Sequence, residues 1–304
     1  MKELLITGAW RCGEQQVQAL EQMGYAVTFW PDERQAVNMD TQRFEAVICG
    51  GLFLTTPIER FPALKCIQVT SAGLDRVPLD YCKAHGITVY NAGGVYSAPM
   101  AEFVLGGILQ LYKESKFFAE NQAAHRWEKH RGLRELGGKT ACIVGTGSVG
   151  SAIARRLRTF DVQTVGINRS GHPATEFDQT QPTCRLDDLL PLADLVICAM
   201  PLTAETAGLF DSVRIAKIKP GAVFVNVARG KVTDQQALAE ALQSGQLSGA
   251  VLDVFEEEPL PRCSPLWDME QVILTPHNSF VGEHNGERLF KCIKEHLYEL
   301  SKEC

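Results

Sequence analysis

Residues 140–150 read TACIVGTGSVG and run on into SAIARRLRTF, ending at Phe160. A short apolar run gives way to Gly145-Thr146-Gly147-Ser148-Val149-Gly150, after which apolar residues recur at helical spacing. Strand, glycine turn and helix together form the setting in which GxGxxG binds a dinucleotide. The first glycine makes the tight turn and the second lets the backbone approach the pyrophosphate. The third lets the helix pack on the strand, and the helix N-terminus faces the phosphates. Gly145, Gly147, Ser148, Val149 and Gly150 are therefore expected to hold the cofactor. The next strand, VQTVGIN, ends at Asn168, where an NAD site carries Asp or Glu for the ribose hydroxyls. A carboxylate there would repel a 2′-phosphate. Asn168, Arg169 and Ser170 offer donors, and Arg can take a phosphate in a bidentate, charge-assisted grip. NADPH is expected ahead of NADH; the plain alternative is a polar NRSG turn that tolerates either.

Outward from this stretch the same alternation fills the chain. LLIT at 4–7, AVTF at 26–29, AVICG at 46–50, CIQV at 66–69 and ITVY at 87–90 read as strands with helical patterns between them. TACIVG, QTVGIN, DLVICAM, AVFVNVA, GAVLDV and QVILTP continue the series. Solid apolar runs of this kind belong to parallel strands buried on both faces, so the fold class is α/β with two Rossmann-like domains. A helical pattern from Ser97 to Ala124 is too long for a simple crossover. The polar, basic HRWEKHRGLRELGGK after it reads as a surface arm or a connection, and the chain ends in a helix starting near Gly282.

With 304 residues, 45% hydrophobic and 22% charged, the chain has a globular composition, and disordered or fibrous classes are excluded. A net charge of −6 argues against nucleic acid or an anionic membrane as the main partner. The opening MKELLITGAW predicts a strand and turn rather than a signal peptide. None of the ten cysteines has CxxC spacing, and Cys49, Cys142 and Cys198 lie in apolar runs, so reduced, buried thiols in a cytoplasmic protein are expected. Neither cysteines nor histidines pair at zinc-ligand spacing, so no metal is expected.

Three strand ends present reactive side chains: Arg229 in NVARG, Glu258 in LDVFEEEPLP and His277 in TPHNS. Residues just past the carboxyl ends of strands in an open sheet can converge on a ligand. Hydride transfer to a 2-oxo acid needs a fixed cation for the carboxylate and carbonyl, a proton donor, and a group that keeps the donor charged. Arginine, histidine and a carboxylate meet those needs in that order. Singly, each has a bland reading: a surface ion pair, a solvated glutamate, a capped loop histidine.

Taken with their flanks, these motifs resemble the D-isomer-specific 2-hydroxyacid dehydrogenases over nearly the whole chain. The matching stretches are TSAGLDRVP, YNAGGVYSAPMAEFVLG, LGGKTACIVGTGSVG, INRS, PLTAETAGLF, NVARGKVTD, GAVLDVFEEEPLP and TPHNS. The resemblance implies Arg229 as a substrate contact, His277 as the acid/base and Glu258 as its partner. It implies cofactor contacts at Met200, Pro201, Thr206, Val227, Ala228 and Asp253, the last on the nicotinamide amide. It further implies that the backbone of Ala72 and Gly73 holds the substrate carboxylate, and that Leu52 and Phe53 lie over the substrate. Its domain plan is a substrate domain of residues 1–97 plus 281–304 and a cofactor domain of 98–280. A small 2-oxo acid is the expected substrate and a homodimer the expected assembly, with Trp127 of the arm able to reach the partner's site. Relatives acting on phosphoglycerate carry a basic residue in the loop around Leu52–Thr55, and formate-oxidising relatives pair the histidine with glutamine; neither feature is present. Some members act instead as nucleotide-sensing corepressors or scaffolds, a role that the three retained catalytic residues argue against.

Overall fold

The computed structural model describes residues 1–302. Its chain divides into two compact units: Met1–Tyr96 joined by the segment from Gly282 onward, and Ser97–Val281.

The first unit holds a five-stranded sheet of β1 (Lys2–Thr7), β2 (Tyr25–Trp30), β3 (Ala46–Cys49), β4 (Cys66–Val69) and β5 (Thr88–Tyr90), in the order β2-β1-β3-β4-β5 with every pairing parallel. Successive side chains on a strand face opposite ways. Accordingly Leu4, Ile6 and Ile48 pack on one side with Leu289, Ile293 and Leu297 of the C-terminal helix Asn285–Lys302. Leu5, Val47 and Ile67 pack on the other with Phe44, Leu52 and Phe61. Two buried faces leave little place for polar residues in the middle of β1, β3 and β4, buried Gln68 being the exception, which is why they read as apolar runs.

The second unit carries seven strands: β6 (Thr140–Val144), β7 (Gln163–Asn168), β8 (Gln179–Pro182), β9 (Leu195–Cys198), β10 (Val223–Asn226), β11 (Gly249–Leu252) and β12 (Val272–Leu274). Their order is β12-β11-β10-β9-β6-β7-β8, again all parallel. The order reverses between β6 and β9, which makes a crevice at their carboxyl ends. The strand β8 carries no apolar signal because QTQP lies at the sheet edge, where a proline costs no ladder bond. The expected single helix over 97–124 is two, Ser97–Tyr112 and Ser115–Ala123, broken where Glu114 takes a left-handed φ of 50°.

Asp194 ties the start of this sheet together. Its carboxylate accepts the Thr140 N–H at 3.0 Å and the Lys219 ammonium at 2.8 Å, with Lys139 at 3.9 Å. Burial pushes this carboxyl up, but Lys219, the Thr140 amide and Lys139 outweigh it and hold it below the ordinary value. A carboxyl depressed in the folded state contributes stability above its unfolded value, near 4, and loses it as pH falls through the folded one. Asp194→Asn should therefore cost about 1–2 kcal/mol at neutral pH. It should also flatten the acid limb of the stability profile below pH ~5, as read by denaturant unfolding across pH.

Nine cysteines are free, and Cys304 lies outside the described residues. Burial raises the Cys66 and Cys142 thiols to about 12, whereas Cys184 and Cys263 are exposed. Among the described residues no helix is long and apolar enough to cross a membrane.

Candidate active site

At the β6–β9 crevice, Gly147 and Ser148 are exposed at the start of the helix Ser148–Arg158, leaving its first N–H groups open to an anion. A Cβ on Gly150 would sit 1.9 Å from the Gly145 carbonyl oxygen, so only glycine lets the helix lie this close to the turn. The loop thus fits a dinucleotide pyrophosphate. After β9, Thr206 draws its own turn together, donating to the Pro201 carbonyl and accepting the Thr203 N–H, each at 2.7 Å. Met200, Val227 and Ala228 turn their side chains inward, being 6%, 3% and 6% exposed. Any contact they make with a cofactor is through backbone.

The turn after β7 differs in detail from the expectation. The Asn168 amide spends both donor hydrogens internally, on Thr146 Oγ1 at 3.1 Å and the His172 carbonyl at 2.9 Å, and accepts the Gly171 N–H at 2.7 Å. Asn168 fastens this turn to the glycine loop rather than offering free donors. Arg169 is the exposed cation, with Glu205 of the β9 loop 3.8 Å away. A hydrogen bond from the Thr203 hydroxyl holds the Glu205 carboxyl below its usual range, aided by its own backbone and by Arg169. Ser170 Oγ lies 3.2 Å from Nδ1 of His172, an exposed residue that the sequence reading passed over.

Three turns past β10, β11 and β12 carry Arg229, Glu258 and His277. Buried Asn226 donates to the Arg229 carbonyl at 3.1 Å and accepts the Ala228 N–H at 3.0 Å, shaping the arginine turn. An Asn closing an apolar strand is the signal that could have revealed this role. A Cβ on Gly230 would fall 1.8 Å from the Phe255 carbonyl carbon, so the arginine turn rests directly on the backbone leading to Glu258. The Glu258 carboxylate accepts the Phe255 N–H at 3.0 Å through Oε1 and meets His277 Nδ1 at 2.9 Å through Oε2. A carboxylate only accepts, so Nδ1 carries the hydrogen and Nε2 is left as the exchanging nitrogen. Both side chains are a little over a third exposed.

His277 itself is held at a left-handed φ of 52°, a conformation few non-glycine residues adopt. Asp253 accounts for it. Fully buried, its carboxylate accepts Thr275 Oγ1 (2.6 Å) and the N–H groups of Asn278 (2.7 Å) and Ser279 (3.0 Å). Its carbonyl accepts the His277 N–H at 2.8 Å. This geometry gives Asp253 the building of the histidine turn.

In the first unit, the carbonyls of Ala72 and Gly73 accept Asn91 Nδ2 (2.7 Å) and Ser71 Oγ (2.8 Å). Among the described residues their own N–H groups meet no acceptor. Two fixed, open N–H groups make an anion-binding concavity. Leu52 corrects the sequence reading. Its side chain is 0% exposed, packed in the core with Leu5 and Phe61, and cannot touch a substrate. Phe53 is half-buried, edge-on to Phe61 at 6.0 Å, and Leu54 is the exposed residue of the run.

The chain is similar to known proteins in both sequence and fold. Residues 105–279 match the family model described as "D-isomer specific 2-hydroxyacid dehydrogenase, NAD binding domain". A glyoxylate reductase of Thermofilum pendens is 36% identical over 285 residues, 90% of this chain and 83% of that protein. A glyoxylate/hydroxypyruvate reductase B of Salmonella newport is 34% identical, over 80% of this chain and 76% of its own. Among solved structures, a D-isomer specific 2-hydroxyacid dehydrogenase from Xanthobacter autotrophicus, in complex with NADPH and MES, superposes with a TM-score of 0.81. It is 28% identical, with 98% of this chain and 95% of that one covered.

Proposed function

The chain belongs to the D-isomer-specific 2-hydroxyacid dehydrogenase family, and on that premise we propose that it reduces a small 2-oxo acid of the glyoxylate or hydroxypyruvate kind to the D-2-hydroxy acid, using NADPH in preference to NADH. The His277–Glu258 pair at 2.9 Å carries this reading. His277 gives the Nε2 proton to the carbonyl oxygen, and Glu258 accepts the Nδ1 hydrogen and fixes the ring's orientation. Arg229 grips the carboxylate and the carbonyl oxygen with its planar fork. In the first unit, the open Ala72 and Gly73 N–H groups are suited to an anion such as a carboxylate. When bound, the reduced nicotinamide supplies the hydride to the carbonyl carbon. Residues 145–150 hold its pyrophosphate, and Arg169 and Ser170 take the 2′-phosphate. In support of NADPH, the end of β7 presents no carboxylate, and Arg169 is 85% exposed on its side chain.

Initial rates with glyoxylate, hydroxypyruvate, pyruvate and phenylpyruvate, with NADPH and NADH in parallel, test this. At least one acid should drive rapid NADPH oxidation, about tenfold or more ahead of NADH, as one charge-assisted phosphate contact warrants. No oxidation with any acid would overturn the reductase reading, and equal rates would overturn the cofactor preference. The protein should also sediment as a dimer of the 33.5 kDa chain. That assembly is supported by the arm, where Trp127, 96% exposed, lines a groove of about 880 Å³ with Phe118, His125 and His130.

A further inference from the structure

Glu33 lies just past β2, in a stretch that the functional motifs leave untouched. Its carboxylate is half-buried and carries three hydrogen bonds from two strand ends. Oε2 accepts the Thr7 hydroxyl at 2.7 Å and the Gly50 N–H at 3.0 Å, and Oε1 accepts the Gly51 N–H at 2.5 Å. Its own carbonyl accepts the Thr55 hydroxyl at 2.7 Å. One residue thus clamps both ends of the loop Gly50–Thr55, with Phe53 and Leu54 between them. A Cβ on Gly50 would lie 2.8 Å from Glu33 Oε1, so the loop is seated against the carboxylate with no room between.

The place of this clamp gives it a functional sense. In the order β2-β1-β3-β4-β5 the connections from β1 and β3 leave in opposite directions, and Thr7 ends β1 while Gly50 follows β3. A doubly wound sheet of this order binds its ligand outside the carboxyl ends at that β1/β3 switch point. An exposed glutamate would gain little from a surface contact, whereas a carboxylate accepting two N–H groups and a hydroxyl is strongly localised.

We propose that Glu33 is a positioning residue for substrate: it fixes the Gly50–Thr55 loop, which the switch point of the first unit's sheet presents to the 2-oxo acid, and touches no reacting atom. The proposal rests on the reductase reading above. Displacing the loop should weaken capture of the 2-oxo acid while leaving cofactor and proton transfer, which belong to the other unit, unaffected.

The experiment is a steady-state comparison of wild type, Glu33→Gln and Thr7→Val with glyoxylate and hydroxypyruvate as varied substrates, then with NADPH varied. Glutamine keeps the size but can accept on one atom only, so a Gly50 or Gly51 N–H loses its partner. Glu33→Gln should raise KM for both acids about tenfold, with kcat within about threefold and KM for NADPH unchanged. Thr7→Val keeps the charge and removes one donor, and should raise the same KM about threefold. It decides the matter alone if Glu33→Gln does not fold. Wild-type KM for the acids in the variants would overturn the proposal. A rise in NADPH KM in step with the acids would also overturn it, marking a general loss of structure. A wild-type protein inactive on every 2-oxo acid would instead overturn the reductase reading on which the proposal stands.

Discussion

Replacing His277 by alanine should lower kcat for every 2-oxo acid by about three orders of magnitude, the middle of the range for a lost general acid, while NADPH binds as before. The asymmetry follows from the geometry. His277 stands after β12 and is held by Asp253 and Glu258, whereas the glycine loop that fits the pyrophosphate stands after β6. Removing the ring therefore takes away a proton donor without disturbing a phosphate contact. Glu258→Gln should fall in the same direction by about a hundredfold, because a glutamine amide can also donate and no longer fixes the hydrogen on Nδ1 and the orientation of the ring. Nicotinamide fluorescence titration gives the binding half of the test and single-turnover NADPH oxidation the chemical half. Wild-type turnover in the His277 variant would remove the acid/base assignment.

A second large effect is expected at Asn168. Changing it to aspartate should lower the NADPH/NADH ratio of kcat/KM by about a hundredfold, equivalent to roughly 2.7 kcal/mol. Two causes act together. The carboxylate sets a negative charge beside the 2′-phosphate position. It also forfeits the donations to Thr146 Oγ1 and the His172 carbonyl that fasten the turn displaying Arg169. A ratio close to wild type would mean that Arg169 stays turned to Glu205 and solvent, and that the site takes either cofactor.

The strands of both sheets were legible because burial on two faces favours apolar residues in them; Leu195–Cys198 is apolar throughout, and Val223–Asn226 is so up to its closing asparagine. Edges and interruptions were not. Gln179–Pro182 pairs as a strand through backbone alone, and the helix break at Glu114 has no proline or glycine to announce it. At the site, residue types at strand ends singled out Arg229, Glu258 and His277, and the structure brings the last two into contact. Directions within an apolar run stayed hidden: Leu52, Phe53 and Leu54 look alike in sequence, and only packing sends the first to the core. The support roles were hidden too, since Asp253, Asn168 and Glu33 act on backbone N–H groups and carbonyls that no motif spells out.

The contact of Gly230 with the Phe255 backbone bears on how such an enzyme could be diverted to new substrates. Where two main chains touch there is no side chain to exchange, and any substitution on Gly230 pushes the arginine and glutamate turns apart at once. Stepwise adaptation has no path through that joint. Phe53 and Leu54 are carried on a loop held by backbone anchors, Phe53 half-buried against Phe61 and Leu54 exposed, so a change of side chain there leaves the anchoring bonds of Glu33 in place. Laboratory selection for bulkier 2-oxo acids would accordingly be concentrated on those two positions, with the arginine–glutamate joint inherited intact.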